Sequence, residues 1–364
     1  MRVLLVSNET EIIGGGELSL LLLLGGLNGR EDVEPILAVP ADGEVAERAG
    51  ALGIEVVELP LPRMRHQLWR LPAARQAAAG VIRQVAPDLV HCNGSRAMLI
   101  AGIAARRFGL PAVWHVRVEG RDFLDRFLWS RCSALISPSR TVARRFPPQR
   151  IAVIPNPVSL PERRRDDPAV SALRRDMAQG RAHILLAVGE LTPRKNVIRI
   201  VESLAGLHGH DVQLVIAGRE DPSDPGYPDR VRAVAERIGA ADRVTLLGFR
   251  TDVADLMLAA DLLVHAPEAE GFGRVFIEAM AAGLPLVCTP VGGLSELHAE
   301  TGFGWLTEDL SPAALTRTVA QALSDAGDRE RFRAAGPQIA AEHFSVPAHA
   351  RAVMEVYATL GQGL

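Results

Sequence analysis

Short runs of Val, Ile and Leu recur along the chain with helix-length segments between them. In the first half they are RVLLVS (2–7), PILAVP (35–40), IEVVELP (54–60), DLVHCN (88–93), AVWHV (112–116), ALISPS (134–139) and IAVIPN (151–156). Each is apolar at successive positions rather than alternate ones, which suits strands buried on both faces of a parallel sheet. A proline-rich, charged stretch, PNPVSLPERRRDDP (155–168), interrupts the rhythm and reads as a linker. The rhythm restarts with HILLAVGEL (183–191), QLVIAG (213–218), RVTLLGF (243–249), LLVHAP (262–267) and PLVCTPV (285–291). The pattern predicts an α/β chain of two doubly wound, Rossmann-like parallel-sheet domains. The first spans 1–157, a linker 158–181 and the second 182–344; a closing helix, 345–364, is expected to pack back toward the first. Open parallel sheets bind ligands beyond the carboxyl ends of their strands, so two such domains in tandem imply a ligand in a cleft.

Composition narrows the class. The leucine cluster LSLLLLLGGL from Leu18 is about half the length of a membrane span and reads as a buried helix. The N-terminus lacks the basic start and long apolar stretch of a signal peptide. Cys92, Cys132 and Cys288 are scattered without metal-ligand spacing, which fits a reducing cytoplasm and neither a disulfide framework nor a zinc site. Net charge is −3, with a small positive excess before residue 156 and a negative one after it, and nucleic acid is not an expected partner. Between Leu59 and Pro87 lie five arginines, His66, Leu68 and Trp69, and no acid. The basic stretch 61–85 reads either as a solvated helix face or as a patch for an anionic acceptor or a peripheral contact at the inner membrane face. Arginine supplies every other basic side chain, yet LTPRKN (191–196) holds the one lysine, Lys195.

Two glycine-rich loops carry candidate chemistry. IIGGGELSL follows the first strand and opens a helix; Gly14, Gly15 and Gly16 let backbone approach a ligand, and a helix N-terminus favours phosphate. Dinucleotide binding would need a third glycine where Ser19 stands and an acid ending the second strand, where Val39 and Pro40 stand. A tight turn without a ligand is the other reading. HAPEAEGFGRVFIEAMAAGLPLVCTPVGGLSEL, from His265, places Glu270 in a strand-end loop, a Gly271-Phe272-Gly273 turn after it, and Glu278 in the helix expected from about Arg274 to Ala282. Carboxylates so placed accept hydrogen bonds from paired hydroxyls such as those of a sugar or ribose. A capped helix with one exposed glutamate does not account for the two acids, the GFG turn and the following GG loop together.

EGFGRVFIEAMAAGLPLVCTPVGGLSEL resembles the donor-site signature of the retaining, GT-B-fold glycosyltransferases of group 1, also called family 4. The resemblance runs through nearly the whole chain: GGGE resembles a GG-x-E loop, IPNPV an I-P-N-G-V stretch, and GFRTDVADLMLAADLLVHAP the run before the acidic pair. It implies that Arg194 and Lys195 hold the donor diphosphate, that Glu270 contacts the transferred sugar and Glu278 the ribose, and that His115 lines the sugar pocket; from the residues alone His115, at a strand end, reads as a hydrogen-bonded core residue. It further implies donor contacts at Gly15 and Gly16, at Gly248, Phe249 and Arg250 toward the base, and at Gly271, Phe272, Gly273, Arg274 and Val275. Glu190 follows Gly189 where many members have arginine, leaving Arg194 and Lys195 to supply the charge; Pro157 stands where a glycine is usual.

The implied reaction moves a sugar from a nucleotide-diphosphate sugar, UDP-linked by default and GDP-linked next, to a sugar, lipid-linked or small-molecule acceptor. Charge growing on the leaving diphosphate needs fixed cations and amides. The chain has no D-x-D and no tight His/Asp cluster, so no metal and no cofactor is expected. Acceptor recognition is expected around 60–75, 93–98 and 117–125. His91, His265 and His298 are given structural roles, and Glu296 a place as a helix-start cap. Two other readings remain open: a nucleotide-sugar epimerase of the same architecture and a non-catalytic partner subunit that keeps the fold.

Overall fold

The computed structural model describes residues 1–62 and 67–361. Arg63, Arg65 and His66 of the basic stretch therefore lie outside the described residues. The chain divides into two compact units, one of residues 1–157 with 344–364 and one of 158–343.

In the first unit β1 (Arg2–Ser7), β2 (Glu34–Val39), β3 (Glu55–Glu58), β4 (Leu89–Asn93), β5 (Ala112–His115), β6 (Ala134–Ser137) and β7 (Ile151–Val153) form one sheet in the order β3-β2-β1-β4-β5-β6-β7. All its pairings are parallel. Both faces are covered, as the continuous apolar runs predict. Val3, Leu5, Leu37 and Val113 pack on one side with the helix Gly15–Leu27 and the closing helix Val346–Gly361. Leu4, Val6, Ile36 and Trp114 pack on the other with the helix Leu71–Val85. The leucine cluster is that buried helix Gly15–Leu27: Leu20, Leu23, Leu24 and Leu27 are fully buried, each contributing about 1.5–3 kcal/mol. Its Gly26 lets the closing helix approach, since a Cβ there would sit 2.9 Å from Ala350 Cβ and Val346 Cγ1.

The second unit holds β8 (His183–Val188), β9 (Val212–Ala217), β10 (Val244–Gly248), β11 (Leu262–His265), β12 (Leu286–Cys288) and β13 (Trp305–Leu306), ordered β10-β9-β8-β11-β12-β13 and parallel throughout. The two-residue β13 had no counterpart in the hydrophobic pattern. The segment 158–181, expected as a linker, contains the helix Pro168–Ala178. It has the local signals of a helix start: Asp167 caps it by accepting from the Ala169 amide at 2.8 Å, and Pro168 occupies its first position. Its arginines also anchor it, because Arg174 and Arg165 both reach the carboxylate of Asp261, at 2.9 and 3.1 Å.

Each sheet reverses its winding once, between β1 and β4 in the first unit and between β8 and β11 in the second. The loops leaving the carboxyl ends of these pairs diverge and leave a crevice. Those loops carry the predicted residues: 8–16 and 94 onward in one unit, 189–196 and 266–273 in the other.

Candidate functional site

The second unit's crevice is built around one carboxylate. After β8 the chain turns at Gly189, whose φ of +150° is open to glycine and strained for other residues. A tight turn follows, with the Lys195 amide donating to the Thr192 carbonyl at 3.1 Å. Asn196 takes a left-handed conformation, φ +56°, that asparagine tolerates, and the helix Val197–Ser203 begins. This turn delivers the Lys195 ammonium to Glu270, Nζ to Oε2 2.5 Å. The buried His265, at the end of β11, brings Nε2 to 3.5 Å from the same oxygen. Burial alone would raise the Glu270 carboxyl, but His265 and Lys195 outweigh it and hold the group at about 2. Glu270 is therefore a permanent acceptor at neutral pH, and burial pushes His265 down so that its ring stays neutral.

Backbone contacts fix the Glu270 loop in place. The Arg194 carbonyl accepts from the Glu268 amide at 3.0 Å, and the Gly293 amide donates to the Glu270 carbonyl at 2.8 Å. The exposed Arg194 side chain reaches the Ala269 carbonyl at 3.5 Å. Phe272 is buried, and Gly273, at φ +98°, starts the helix Arg274–Ala281. Within that helix Arg274 pairs with Glu278 at 2.9 Å. Val275 is buried. A side chain at Gly293 would put its Cβ 2.5 Å from Phe272 Cα and 2.7 Å from the Gly271 carbonyl oxygen. Gly293→Ala is therefore expected to cost about 1–3 kcal/mol, the usual range for overpacking against atoms that cannot give way, measured as a shift in urea midpoint.

Next to this cluster, Gly218 ties the loops after β8 and β10. Its amide donates to the Gly248 carbonyl at 2.9 Å, and a Cβ on it would overlap the Gly189 carbonyl oxygen. Beyond β10, Phe249 is exposed beneath the Arg219 guanidinium, 4.4 Å from its ring centroid. Arg250 forms a two-point pair with Asp252. Glu190 is exposed and takes no place in the Lys195–Glu270 pair. Glu296 lies inside the helix Gly292–Thr301, whose cap position is Val291, so it is not the helix-start cap expected.

The first unit's crevice is a second polar cluster. Gly15 and Gly16 open the helix after β1, and the Ser19 hydroxyl closes back on the Gly15 carbonyl at 2.7 Å. Gly16 receives the Asn93 amide at 3.5 Å and lies against the stem of Arg117. Arg117 donates to Asn93 Oδ1 at 2.7 Å and to Asn156 Oδ1 at 2.6 Å. Glu17 is buried in the helix's first turn, and burial pushes its carboxyl up. His115, the register partner of Asn93, is fully buried. Its Nδ1 lies 3.2 Å from His91 Nε2.

The chain matches two family models, Glycosyl transferases group 1 over residues 174–339 and Glycosyltransferase Family 4 over residues 13–162. The chain belongs to the glycosyl transferases group 1 family. Among curated relatives of this group 1 chain, it is 35% identical over 146 residues to the lipopolysaccharide glucosyltransferase WaaG of Escherichia coli K12, covering 39% of this chain and 37% of that one. It is 31% identical over 196 residues to the D-inositol 3-phosphate glycosyltransferase of Salinispora tropica, covering 52% and 40%. The match thus spans about two fifths of the length of these relatives. The structure of Anabaena Alr3699/HepE with UDP and glucose superposes with a TM-score of 0.84 over 99% of this chain and 100% of that one, at 22% identity. The shared fold is GT-B, two Rossmann-like parallel-sheet domains.

Of the residues expected to act together in this group 1 chain, the structure joins Lys195 to Glu270 and places Arg194 on the same loop contact. Glu278, expected at the ribose, pairs with Arg274. Gly248, Phe249 and Arg250 occupy a neighbouring strand end, and Gly15, Gly16 and His115 belong to the first unit. Sequence reasoning missed Asn93, Arg117 and Asn156 as a cluster, and His265 as a partner of Glu270. His265 is the last residue of β11, directly before the acidic loop, and that adjacency was readable.

Proposed function

We propose that the protein transfers a glycosyl group from a nucleotide-diphosphate sugar to an acceptor hydroxyl with retention of anomeric configuration. The observation that carries this reading is the Lys195–Glu270 pair, 2.5 Å apart, at the point where the second sheet reverses its winding. On this reading the donor diphosphate enters beside Lys195 and Arg194, and Lys195 turns part of its charge from Glu270 to phosphate oxygens. Ionised Glu270 accepts from sugar hydroxyls, Glu278 meets the ribose, and Phe249 and Arg250 flank the base. In the transfer the acceptor oxygen bonds to the anomeric carbon, the bond to the diphosphate oxygen breaks, and that phosphate takes the acceptor's proton. The fixed ammonium serves the charge that grows on the leaving group, so it acts more strongly in the transition state than on the bound donor.

The names of the relatives support acceptors of the cell-envelope glycan or small polyol kind, and the UDP complex of the structural neighbour supports UDP as first donor with GDP next. The reaction is placed in the cytoplasm, where nucleotide sugars are made. Among the described residues no helix is long and apolar enough to cross a membrane, and a peripheral contact through 61–85 is left to lipid co-sedimentation. Titration with UDP and GDP, followed by a screen of their sugars for slow hydrolysis, tests the reading. Turnover is expected with one base and to persist in EDTA, because Lys195 and Arg194 supply the charge. No binding of any nucleotide diphosphate would favour a non-catalytic subunit, conversion of a donor without an acceptor an epimerase, and an inverted anomeric centre would exclude retention.

A further inference from the structure

The Glu270 carboxylate has two donors of different kinds within reach. One is the Lys195 ammonium, 2.5 Å from Oε2 at the end of a flexible four-carbon stem. The other is the His265 ring at the end of β11, a strand paired on both sides, with β8 and β12. The Thr289 amide donates to the His265 carbonyl at 3.2 Å, and the Thr289 hydroxyl to the Pro267 carbonyl at 2.8 Å. The backbone that carries the ring is thus tied across to the next strand. The ring is 6% exposed and the lysine side chain 18%. The lysine can turn about its own bonds while the ring stays with its strand.

The tautomer of His265 follows from what it faces. Its Nε2 is buried and makes no hydrogen bond of full geometry among the described residues. Glu270 Oε2 lies 3.5 Å away, just beyond one. A carboxylate oxygen only accepts, so a lone pair on Nε2 would face a full negative charge, whereas an N–H there faces an acceptor. Nε2 therefore carries the proton. The shorter contact with Lys195 holds the oxygen short of it. A shift of about 0.6 Å would bring Oε2 to the ~2.9 Å of an ordinary N–H···O bond.

We infer that His265 is a positioning residue for the donor site: when Lys195 turns from Glu270 to the diphosphate, the Nε2–H of His265 takes over the carboxylate and keeps it ionised for the sugar hydroxyls. This rests on the glycosyltransfer reading of Lys195 and Glu270, and adds what lets the lysine leave. Withdrawing one partner of a buried pair is costly, and that cost subtracts from donor affinity unless a second donor stands ready. Burial alone raises the Glu270 carboxyl, with His265 and Lys195 opposing it. Without the ring, a bound state that has lost Lys195 to phosphate keeps neither opposing partner, so the carboxyl rises and takes a proton. The other charge acting on the ring is Arg194, which turns to the diphosphate on the same reading.

The test is calorimetric titration of the full chain with UDP at pH 6.5, in two buffers of different ionisation enthalpy, which counts the protons taken up on binding. His265→Phe removes the donor; His265→Gln keeps an N–H near the place of Nε2, and neither side chain titrates. His265→Phe is expected to bind UDP about tenfold more weakly than wild type, as for losing a hydrogen bond to a charged group. It should also take up more protons per UDP than His265→Gln, because Glu270 protonates once Lys195 leaves it. His265→Gln should recover most of the wild-type affinity. A folded His265→Phe that takes up no more protons than His265→Gln would overturn the inference, and would leave the ring a packing role alone. If His265→Phe does not fold, wild type decides by NMR with 15N-labelled histidine: the His265 Nε2–H proton should move downfield on adding UDP, as its bond to Glu270 shortens. A bare Nε2, or a proton that UDP does not move, would overturn the inference alone. Binding of neither UDP nor GDP would instead defeat the glycosyltransfer reading, and this inference with it.

Discussion

Lys195→Ala is expected to lower turnover by at least about 100-fold, the range found on losing a group that stabilises charge in the transition state. Every other basic side chain is arginine, and this one lysine sits on the turn after β8 with its ammonium on Glu270. A planar guanidinium is longer and forked, so Lys195→Arg is also expected to be impaired. The pair is largely out of water, with side chains 18% and 13% exposed, and removing one partner of a buried pair destabilises by as much as about 3–5 kcal/mol. The loss should fall short of that ceiling, because His265 remains beside Glu270. The double variant Lys195→Ala/Glu270→Ala separates the two effects. It leaves no uncompensated carboxylate, so thermal stability should recover toward wild type while turnover does not. Full activity in a folded Lys195→Ala would remove Lys195 from the mechanism.

The fold was legible because parallel strands buried on both faces leave continuous apolar runs, and the runs predicted here all became strands. β13 escaped because two residues, Trp305 and Leu306, do not make a run. The helix Pro168–Ala178 is masked in the sequence by its charged, proline-rich approach, which has the composition of a linker. Its Asp-Pro start and the later Val170 and Met177, both buried, were the signals of a helix that packs. The acidic pair was legible because its parts lie within a dozen residues. The polar cluster of the first unit was not, since Arg117 meets an asparagine 39 residues away and Tyr357 a histidine 266 residues away. Strand periodicity says which face His91 occupies, but not which helix covers it. The loop after β11 shows the same limit: the two glutamates were read together as one acidic signature, but the ion pair of Glu278 with Arg274, four residues away on its own helix, was not read.

The first unit is expected to lose stability steeply as pH falls below about 6.5. The same burial that keeps His91 and His115 neutral in the fold leaves them free to protonate once unfolded. Both folded values lie below the ordinary 6.5, His91 at about 3. The unfolded chain therefore binds protons that the folded chain refuses, and the stability present above 6.5 drains away as pH drops toward 3. His91 contributes about 1.4 kcal/mol per pH unit in that window, and His115 adds to the loss in the same direction. By pH 4.5 His91 alone removes about 3 kcal/mol, a large part of the ~5–15 kcal/mol that holds a typical domain. The second unit is exposed to the same effect through His265, lowered by burial, and below pH 4.5 through Glu270, whose folded value near 2 loses its advantage as the unfolded carboxyl protonates. Urea unfolding at pH 7.5, 6 and 5, followed by tryptophan fluorescence, reads mainly the first unit, which holds Trp69, Trp114 and Trp129 while the second holds Trp305. In His91→Gln, whose amide does not titrate, the slope of stability against pH should fall by about 1.4 kcal/mol per unit. An unchanged slope would mean that His91 protonates without cost in the fold, and that its contacts with Tyr357 and His115 are wetter than their burial implies.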